Sequence, residues 1–454
     1  MDIIREMALK ALYKIEKDGA YSNIVLDETI KRNKGKINER DIGFISELVY
    51  GVTTWKLTLD EIIKKHSKIR IKKISPWIIN ILRMGAYQII FLDRIPKSAA
   101  VNEGVNLAKK YGNKGSISFT NAILRKIEKL DYEELKTTEN PKERISKVTS
   151  MPMWIVEKLA EEKGIEEAEN ICMASNLKPL LTIRVNTLKV TSDEFVKKLE
   201  DIEKTRQKEA NKVKDEKTSN NLENMICQPT NQENFFILKN TKNIENMELF
   251  KQGYFTVQDI SAGLAAKTLN PKPRDKVLDC CSAPGGKTTY LAELMQNKGY
   301  IEAWDIHEHR VKLVEQTSKR LGIEIINAKV KDATIYHENY NEKFDKILLD
   351  VPCLGIGVIK RKPDIKWQRN EEHIKEITKL QLKILTTCSK YLKNGGKLVY
   401  STCSILKEEN QNIIEQFLKE NKNFEFADKN NKFFEINTNE KQDGFFICKL
   451  KKVH

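Results

Sequence analysis

Two cysteines and a run of aspartates are the residues of this 454-residue chain whose types and spacing could do chemistry. Cys353 lies in DVPCLGIG, three residues past Asp350, and Cys403 lies in YSTCSI. Each follows an apolar stretch that reads as a strand, and each sits beside glycine or hydroxyl residues in the loop that leaves it. A buried cysteine is ordinarily inert core, which is the expectation for Cys172, Cys227, Cys388 and Cys448. Thiols at the carboxyl ends of strands are different, because an open α/β sheet delivers its reactive groups there. Cys353 and Cys403 are therefore candidate nucleophiles.

A glycine loop falls on the same rim. KVLDCCSAPGGKTTYL spans Lys276 to Leu291, a short strand, a tight loop from Cys281 to Lys287, and a helix start. Pro284 stiffens the turn, while Gly285 and Gly286 remove side chains that would block close approach of a ligand. Three ligand readings compete with an ordinary strand-to-helix turn. A P-loop needs G-x-x-x-x-G-K-[ST]; Gly286-Lys287-Thr288 fits its end, but Cys281 stands where the first glycine belongs. A dinucleotide site needs G-x-G-x-x-G, which is absent. An S-adenosylmethionine loop needs close backbone approach and acidic partners, with no phosphate to cradle.

Four successive strands end in aspartate: Asp279, Asp305, Asp332 and Asp350. Aspartate is a common turn residue, so one case means little. Four at equivalent strand ends put several carboxylates along one crevice. Asp305, nineteen residues past Gly286, stands where an acidic side chain binds ribose hydroxyls in adenosine sites.

The elements that must position these groups are readable. From about 260 to 454, apolar strands alternate with helices, the pattern of a doubly wound Rossmann-like α/β domain, with FFEIN and GFFICKLK as an antiparallel finish. Residues 151–260 read as a small α+β module beside a substrate groove. It opens with a helical piece, MPMWIVEKLAEEKG, followed by PLLTIRVNTLK as a strand. A capping box joins Thr191 to Glu194, and ENFFILKN and GYFTVQD read as further strands. Within it, 203–225 is almost devoid of apolar side chains and reads as a mobile insert. Residues 131–150 are polar and read as a linker. Residues 1–130 read as all-helical: Ser75-Pro76 opens an apolar, buried helix, and Ser98 caps the next, which ends at Gly112.

Bulk properties set outer limits. The length suggests about three domains. The net charge of +15 and pI near 9.1 suit an acidic partner such as RNA, although a lysine-rich proteome would give the same balance. The eight cysteines form no C-x-x-C and lie at no zinc-ligand spacing, so no metal is expected. His307 and His309 flank Glu308 without a third ligand. No stretch approaches the roughly 20 apolar residues of a membrane span, and the start lacks a signal-peptide run. A cytoplasmic, monomeric protein with reduced thiols is expected.

RIPKSAAVNEGVNLAKKYG followed by FTNAILRKI resembles the NusB-like helical fold at the front of certain bacterial ribosomal RNA methyltransferases, where it helps dock RNA. DCCSAPGGKT, the Asp305 and Asp332 strand ends, DVPCLGIGVIKRKPDIKW, KLVYSTCSILKEEN and DGFFICKL resemble the RNA (cytosine-5) methyltransferases, specifically the small-subunit (16S) ribosomal RNA enzymes of the RsmB (Sun/Fmu) type. Ser282 and Leu354 depart mildly from that pattern, standing where alanine and serine are more usual. The resemblance implies S-adenosylmethionine held by Cys281, Ser282, Ala283, Pro284, Gly285, Gly286 and Lys287, with Asp305 on the ribose hydroxyls and Asp332 on the adenine amino group. It implies Cys403 as the nucleophile, Cys353 assisting product release, and Asp350 holding cytosine N3 beside the cofactor, protonated or through a shared proton. Pro352-Cys353 mimics the proline-cysteine nucleophile of DNA cytosine-5 methyltransferases, so the two thiols need separating by substitution.

Lys360, Arg361 and Trp367 add cations and an aromatic that could hold RNA phosphates and stack on an extruded base; a solvated loop with one packed tryptophan fits equally for Trp367. The rivals are a non-catalytic RNA-binding protein, which would not bind S-adenosylmethionine, and a nucleotide hydrolase. Within the preferred class, transfer RNA or another ribosomal site is the alternative substrate.

Overall fold

The computed structural model describes residues 2–130, 137–212, 225–241 and 243–453. It divides into two compact units, one of residues 1–177 with 359–371, the other of 178–358 with 372–454.

The first unit is helical. Its central helix, Pro76–Phe91, is buried at every position from Ile78 to Ile89, as an apolar stretch with no polar stripe requires. Ser75 caps it by accepting from the Ile78 amide. The next helix, Lys97–Tyr111, starts one residue before Ser98, which makes no cap there, and stops at Gly112. Apolar faces of Ile3–Asp18, Glu39–Thr54, Lys56–His66 and Lys114–Ile127 complete the core. Of the expected linker, 131–136 lie outside the described residues and Pro141–Thr149 form a helix. Asn140 caps that helix, Pro141 starts it, and Ile145 and Val148 bury its apolar side. Helices Met153–Lys163 and Ile165–Ala174 belong to this unit too, with Arg144 forking onto Glu169 at 2.6 Å through both nitrogens. No described helix is long and apolar enough to cross a membrane.

The second unit begins with a four-stranded antiparallel sheet built from β1 (Leu181–Val185), β2 (Ile226–Pro229), β3 (Phe235–Lys239) and β4 (Phe255–Val257), in the order β2-β3-β1-β4. The capping box forms, with the Thr191 amide donating to Glu194 at 3.0 Å, and its helix, Ser192–Lys212, runs through the start of the expected insert. Residues 213–224 of that insert lie outside the described ones.

The larger sheet contains β5 (Lys276–Asp279), β6 (Tyr300–Asp305), β7 (Ile326–Val330), β8 (Phe344–Asp350), β9 (Leu392–Thr402), β10 (Phe424–Phe426), β11 (Phe433–Ile436) and β12 (Phe445–Lys452). Its order is β10-β12-β9-β8-β5-β6-β7, with β11 on β12. The five strands β5 to β9 pair in parallel, and β12 closes antiparallel on β9. The chain winds outward from β5 through β6 to β7, then from β8 to β9 on the other side. The β5/β8 boundary is therefore the switch point, where the carboxyl ends open a crevice. The short strands β2 and β10 carry no alternation long enough to predict.

Candidate active site

Loop and helix geometry at the switch point follows from a few residues. Gly285 has φ +103°, and a Cβ there would lie 3.2 Å from Val314 Cα, so a side chain would strain the backbone and crowd Val314. Helix Gly286–Leu294 starts immediately after it. Arg184, fully buried in β1, braces this helix. It donates to both oxygens of Glu293 at 2.7 and 3.1 Å, to the Thr289 hydroxyl at 3.1 Å and to the Gly286 carbonyl at 3.0 Å. It also contacts Gln258 and stacks over Tyr290. Burial pushes Glu293 upward against the pull of Arg184. Sequence reasoning missed this arginine, though an arginine inside the apolar strand LTIRV was a usable signal.

The aspartates stand as the strand ends require. Asp279 is 1% exposed and accepts the Thr288 hydroxyl at 2.7 Å; burial pushes its carboxyl up to about 7, with Asp350 adding to the rise. Asp305 accepts the His307 amide at 3.0 Å and pairs with Arg310 at 3.2 Å. Arg310 also donates to the Ala283 carbonyl at 3.1 Å, tying the end of β6 to the glycine loop. Asp332 lies two residues past β7 and accepts the Thr334 amide at 2.8 Å.

Asp350 accepts from Lys287 at 2.7 Å and from the Ser401 hydroxyl at 2.9 Å. Burial alone would lower the Lys287 ammonium, but the Asp350 carboxylate overrides it and holds it above the ordinary lysine value. The loop's cation is thus committed to a carboxylate, and loop amides turn inward: Ser282 donates to the Trp304 carbonyl and Gly285 to the Ser282 carbonyl, both at 2.8 Å. A phosphate cradle needs the opposite arrangement.

The two thiols meet. Cys353 and Cys403 sulfurs lie 2.8 Å apart, and both residues are free cysteines; a disulfide would need about 2.05 Å. The neighbouring Cys403 sulfur, then burial and the Glu409 and Asp350 charges, keep Cys353 well above its ordinary value, so Cys353 remains a thiol. Gly357 sets the Cys403 loop, donating its amide to the Cys403 carbonyl at 3.0 Å. A Cβ on Gly357 would collide with the Gly444 carbonyl at 2.3 Å. Glu409, fully buried, accepts the Leu354 amide at 2.9 Å and Gln381 at 3.1 Å, and its other oxygen accepts the Ser404 hydroxyl. Gln381 also donates to the Pro352 carbonyl at 2.9 Å. Glu409 lies in a stretch that carries the resemblance, yet sequence reasoning gave it no role.

Lys360, Arg361 and Trp367 fall in the segment that packs within the helical unit. Lys360 is 8% exposed. The Trp367 indole donates to the Thr53 carbonyl at 2.7 Å, with Lys56 over its ring, so the packed-tryptophan reading describes its contacts. Lys366 is buried and reaches the Thr54 carbonyl at 3.0 Å and Asn176 at 2.6 Å. Asp364 accepts the amide and hydroxyl of Ser22 at 3.0 and 2.5 Å, capping helix Ser22–Arg32, whose own cap residue, Tyr21, supplies no side-chain bond.

Known proteins with this sequence pattern share the whole architecture. Residues 266–451 match the family described as 16S rRNA methyltransferase RsmB/F, 2–129 match the NusB family, and 151–213 match the ferredoxin-like domain of RsmF/B-like methyltransferases. The probable ribosomal RNA small subunit methyltransferase B of Bacillus subtilis is 36% identical over 99% of this chain and 98% of its own length. The ribosomal RNA small subunit methyltransferase B of Shewanella oneidensis is 31% identical over 91% and 89%. The solved structure of PH0851 superposes with a TM-score of 0.78 at 26% identity, covering 98% of each chain. The chain belongs to the RsmB/F family of 16S rRNA methyltransferases.

Proposed function

We propose that this chain methylates carbon-5 of a cytosine in 16S ribosomal RNA, using S-adenosylmethionine and a covalent adduct between Cys403 and carbon-6. The observation that carries this reading is the approach of the Cys353 and Cys403 sulfurs to 2.8 Å, on the same rim as the Lys287–Asp350 pair.

The rim fits an adenosine ligand without phosphates. Asp305 and Asp350 end β6 and β8, Asp332 lies two residues past β7, and the loop's lysine is already engaged by Asp350. Residues Cys281 to Lys287 would hold the cofactor, Asp305 its ribose hydroxyls and Asp332 its adenine amino group. When bound, that cofactor supplies an electrophilic methyl group on a sulfonium centre.

Carbon-5 of cytosine is a weak nucleophile. Addition of the Cys403 thiolate at carbon-6 pushes electrons onto carbon-5 and makes it enamine-like. Asp350, which accepts from Lys287 at 2.7 Å, would hold cytosine N3. Once carbon-5 is substituted, the electrons of its C–H bond would re-form the ring double bond and expel the Cys403 sulfur. Cys353, held as a thiol beside that sulfur, would donate its proton to the departing thiolate and be restored by the proton released from carbon-5. Trp367 is not assigned to the base, because its indole donates to the Thr53 carbonyl; Lys360 and Arg361 would hold RNA phosphates.

Adduct formation tests the assignment. Cys403→Ala should form no covalent complex with unmethylated 16S rRNA transcript and S-adenosylmethionine, while Cys353→Ala should accumulate one. Bisulfite sequencing of the transcript should report methylation by the unsubstituted protein only. An adduct on Cys403→Ala with none on Cys353→Ala would make Cys353 the nucleophile.

A further inference from the structure

The densest charge in the chain belongs to none of the residues assigned above. Six of the ten residues from Lys64 to Lys73 are lysine or arginine, and no acidic residue occurs between Glu61 and Asp93. Lysine and arginine make up 79 of 454 residues, so an even spread would put about two in any ten. The six are Lys64, Lys65, Lys68, Arg70, Lys72 and Lys73, and all are exposed.

This segment is an ordered ridge. It joins helix Lys56–His66 to helix Pro76–Phe91. Ser67 folds its start, accepting the Ile69 amide at 2.9 Å and donating to the Ile69 carbonyl at 2.8 Å. A single turn over Ile71–Lys73 follows. Ile71 and Ile74 pack against the helical core, which leaves Arg70, Lys72 and Lys73 facing outward.

Like charges held together repel, and the cost falls when a polyanion replaces scattered counterions. Lys64 makes an exposed contact with Glu61 at 3.2 Å. A lipid surface would also need an apolar face to insert, and the ridge offers Ile69 alone, 45% exposed, its other isoleucines being turned into the core. A phosphodiester backbone needs only the cations.

We propose that residues 64–73 are a docking ridge for the phosphodiester backbone of the RNA substrate. This rests on the reading that the substrate is RNA, but not on the cysteine chemistry. Ridge contacts carry no base information; they raise affinity and set the salt dependence of binding.

The test uses the full-length protein and unmethylated 16S rRNA transcript, with Kd measured by fluorescence anisotropy across a potassium chloride series. The variant K68Q/R70Q/K72Q/K73Q should bind at least tenfold more weakly at low salt. Its slope of log Kd against log salt should be shallower by roughly 2 to 4, since each phosphate contact contributes about 0.7 to 0.9. Melting temperature and cofactor affinity by calorimetry should match the parent. A control, K419Q/K422Q/K432Q/K441Q, removes the same charge from exposed positions of the other unit and should keep the parent slope. Equal losses in both variants would reduce the effect to net charge and overturn the ridge, as would an unchanged slope in the ridge variant. Loss of binding to vesicles of anionic phospholipid with RNA binding intact would assign the ridge to membranes instead. If the ridge variant behaves as expected while bisulfite sequencing detects no methylation by the parent, the docking site stands and the catalytic reading fails.

Discussion

The Glu409 carboxylate accepts the Leu354 amide at 2.9 Å, and its other oxygen accepts the Ser404 hydroxyl. These are the residues that directly follow Cys353 and Cys403. One buried carboxylate therefore fixes two loops from different strands of the sheet, and Gln381 joins them by donating to both Glu409 and the Pro352 carbonyl. The spacing of the sulfurs is a property of this brace as much as of the loops themselves.

Glu409→Gln keeps the volume but puts an N–H₂ group opposite one of these donors. Loss of a charge-assisted bond and a clash of donors should cost about 2 to 4 kcal/mol of stability. Misplacing one sulfur should lower kcat about 10- to 100-fold with little change in the KM for RNA. The Glu409 charge is one of the influences that keep the Cys353 proton on, so the alkaline limb of the pH–rate profile should move to lower pH. A purely structural defect would lower activity without moving that limb.

Arg184 poses a question of a different kind, because both it and Glu293 are withdrawn from water, with side chains 0% and 2% exposed. Arg184→Leu would leave Glu293 charged or forcibly protonated in the interior, and would free the Gly286 carbonyl at the start of the loop's helix. A cost of about 3 to 5 kcal/mol is expected. The double variant Arg184→Leu/Glu293→Leu should recover much of it, since the penalty lies in the unpaired charge. Urea denaturation of the single and double variants measures both; equal destabilisation in the two would mean that the packing of Arg184, rather than its charge, holds the helix.

How much of this was legible depends on the range of the interactions. The doubly wound sheet, the buried Pro76–Phe91 helix and the Thr191–Glu194 box were readable because periodicity and capping are local. The strand-end positions of Asp279, Asp305 and Asp350 were readable for the same reason, although Asp332 falls two residues past its strand. What could not be read were partnerships across tens or hundreds of residues. Arg184 meets Glu293 and Lys287 meets Asp350, and neither pair has a periodic signature. Likewise, IKRKPDIKW shows its cations and aromatic, but not that Asp364 caps the Ser22 helix or that Lys366 reaches Thr54 and Asn176.

Asp279 should make stability depend on pH in a recognisable direction. Burial raises its carboxyl from 3.8 to about 7 in the folded chain. Between about pH 4 and 7 the folded protein therefore holds a proton that the unfolded chain has released. The unfolded state binds fewer protons across that window, so this group's contribution falls as pH rises and levels off above about 7. At about 1.4 kcal/mol per pH unit, the loss between pH 5 and pH 8 is about 2 to 3 kcal/mol. Asp279→Asn cannot ionise, and its amide oxygen can still accept the Thr288 hydroxyl that donates at 2.7 Å. Urea denaturation at pH 5, 6, 7 and 8 should thus find the variant gaining on the parent by that amount over the series. A constant difference between the two would mean that Asp279 keeps one protonation state throughout, with Lys287 and the loop amides compensating its charge.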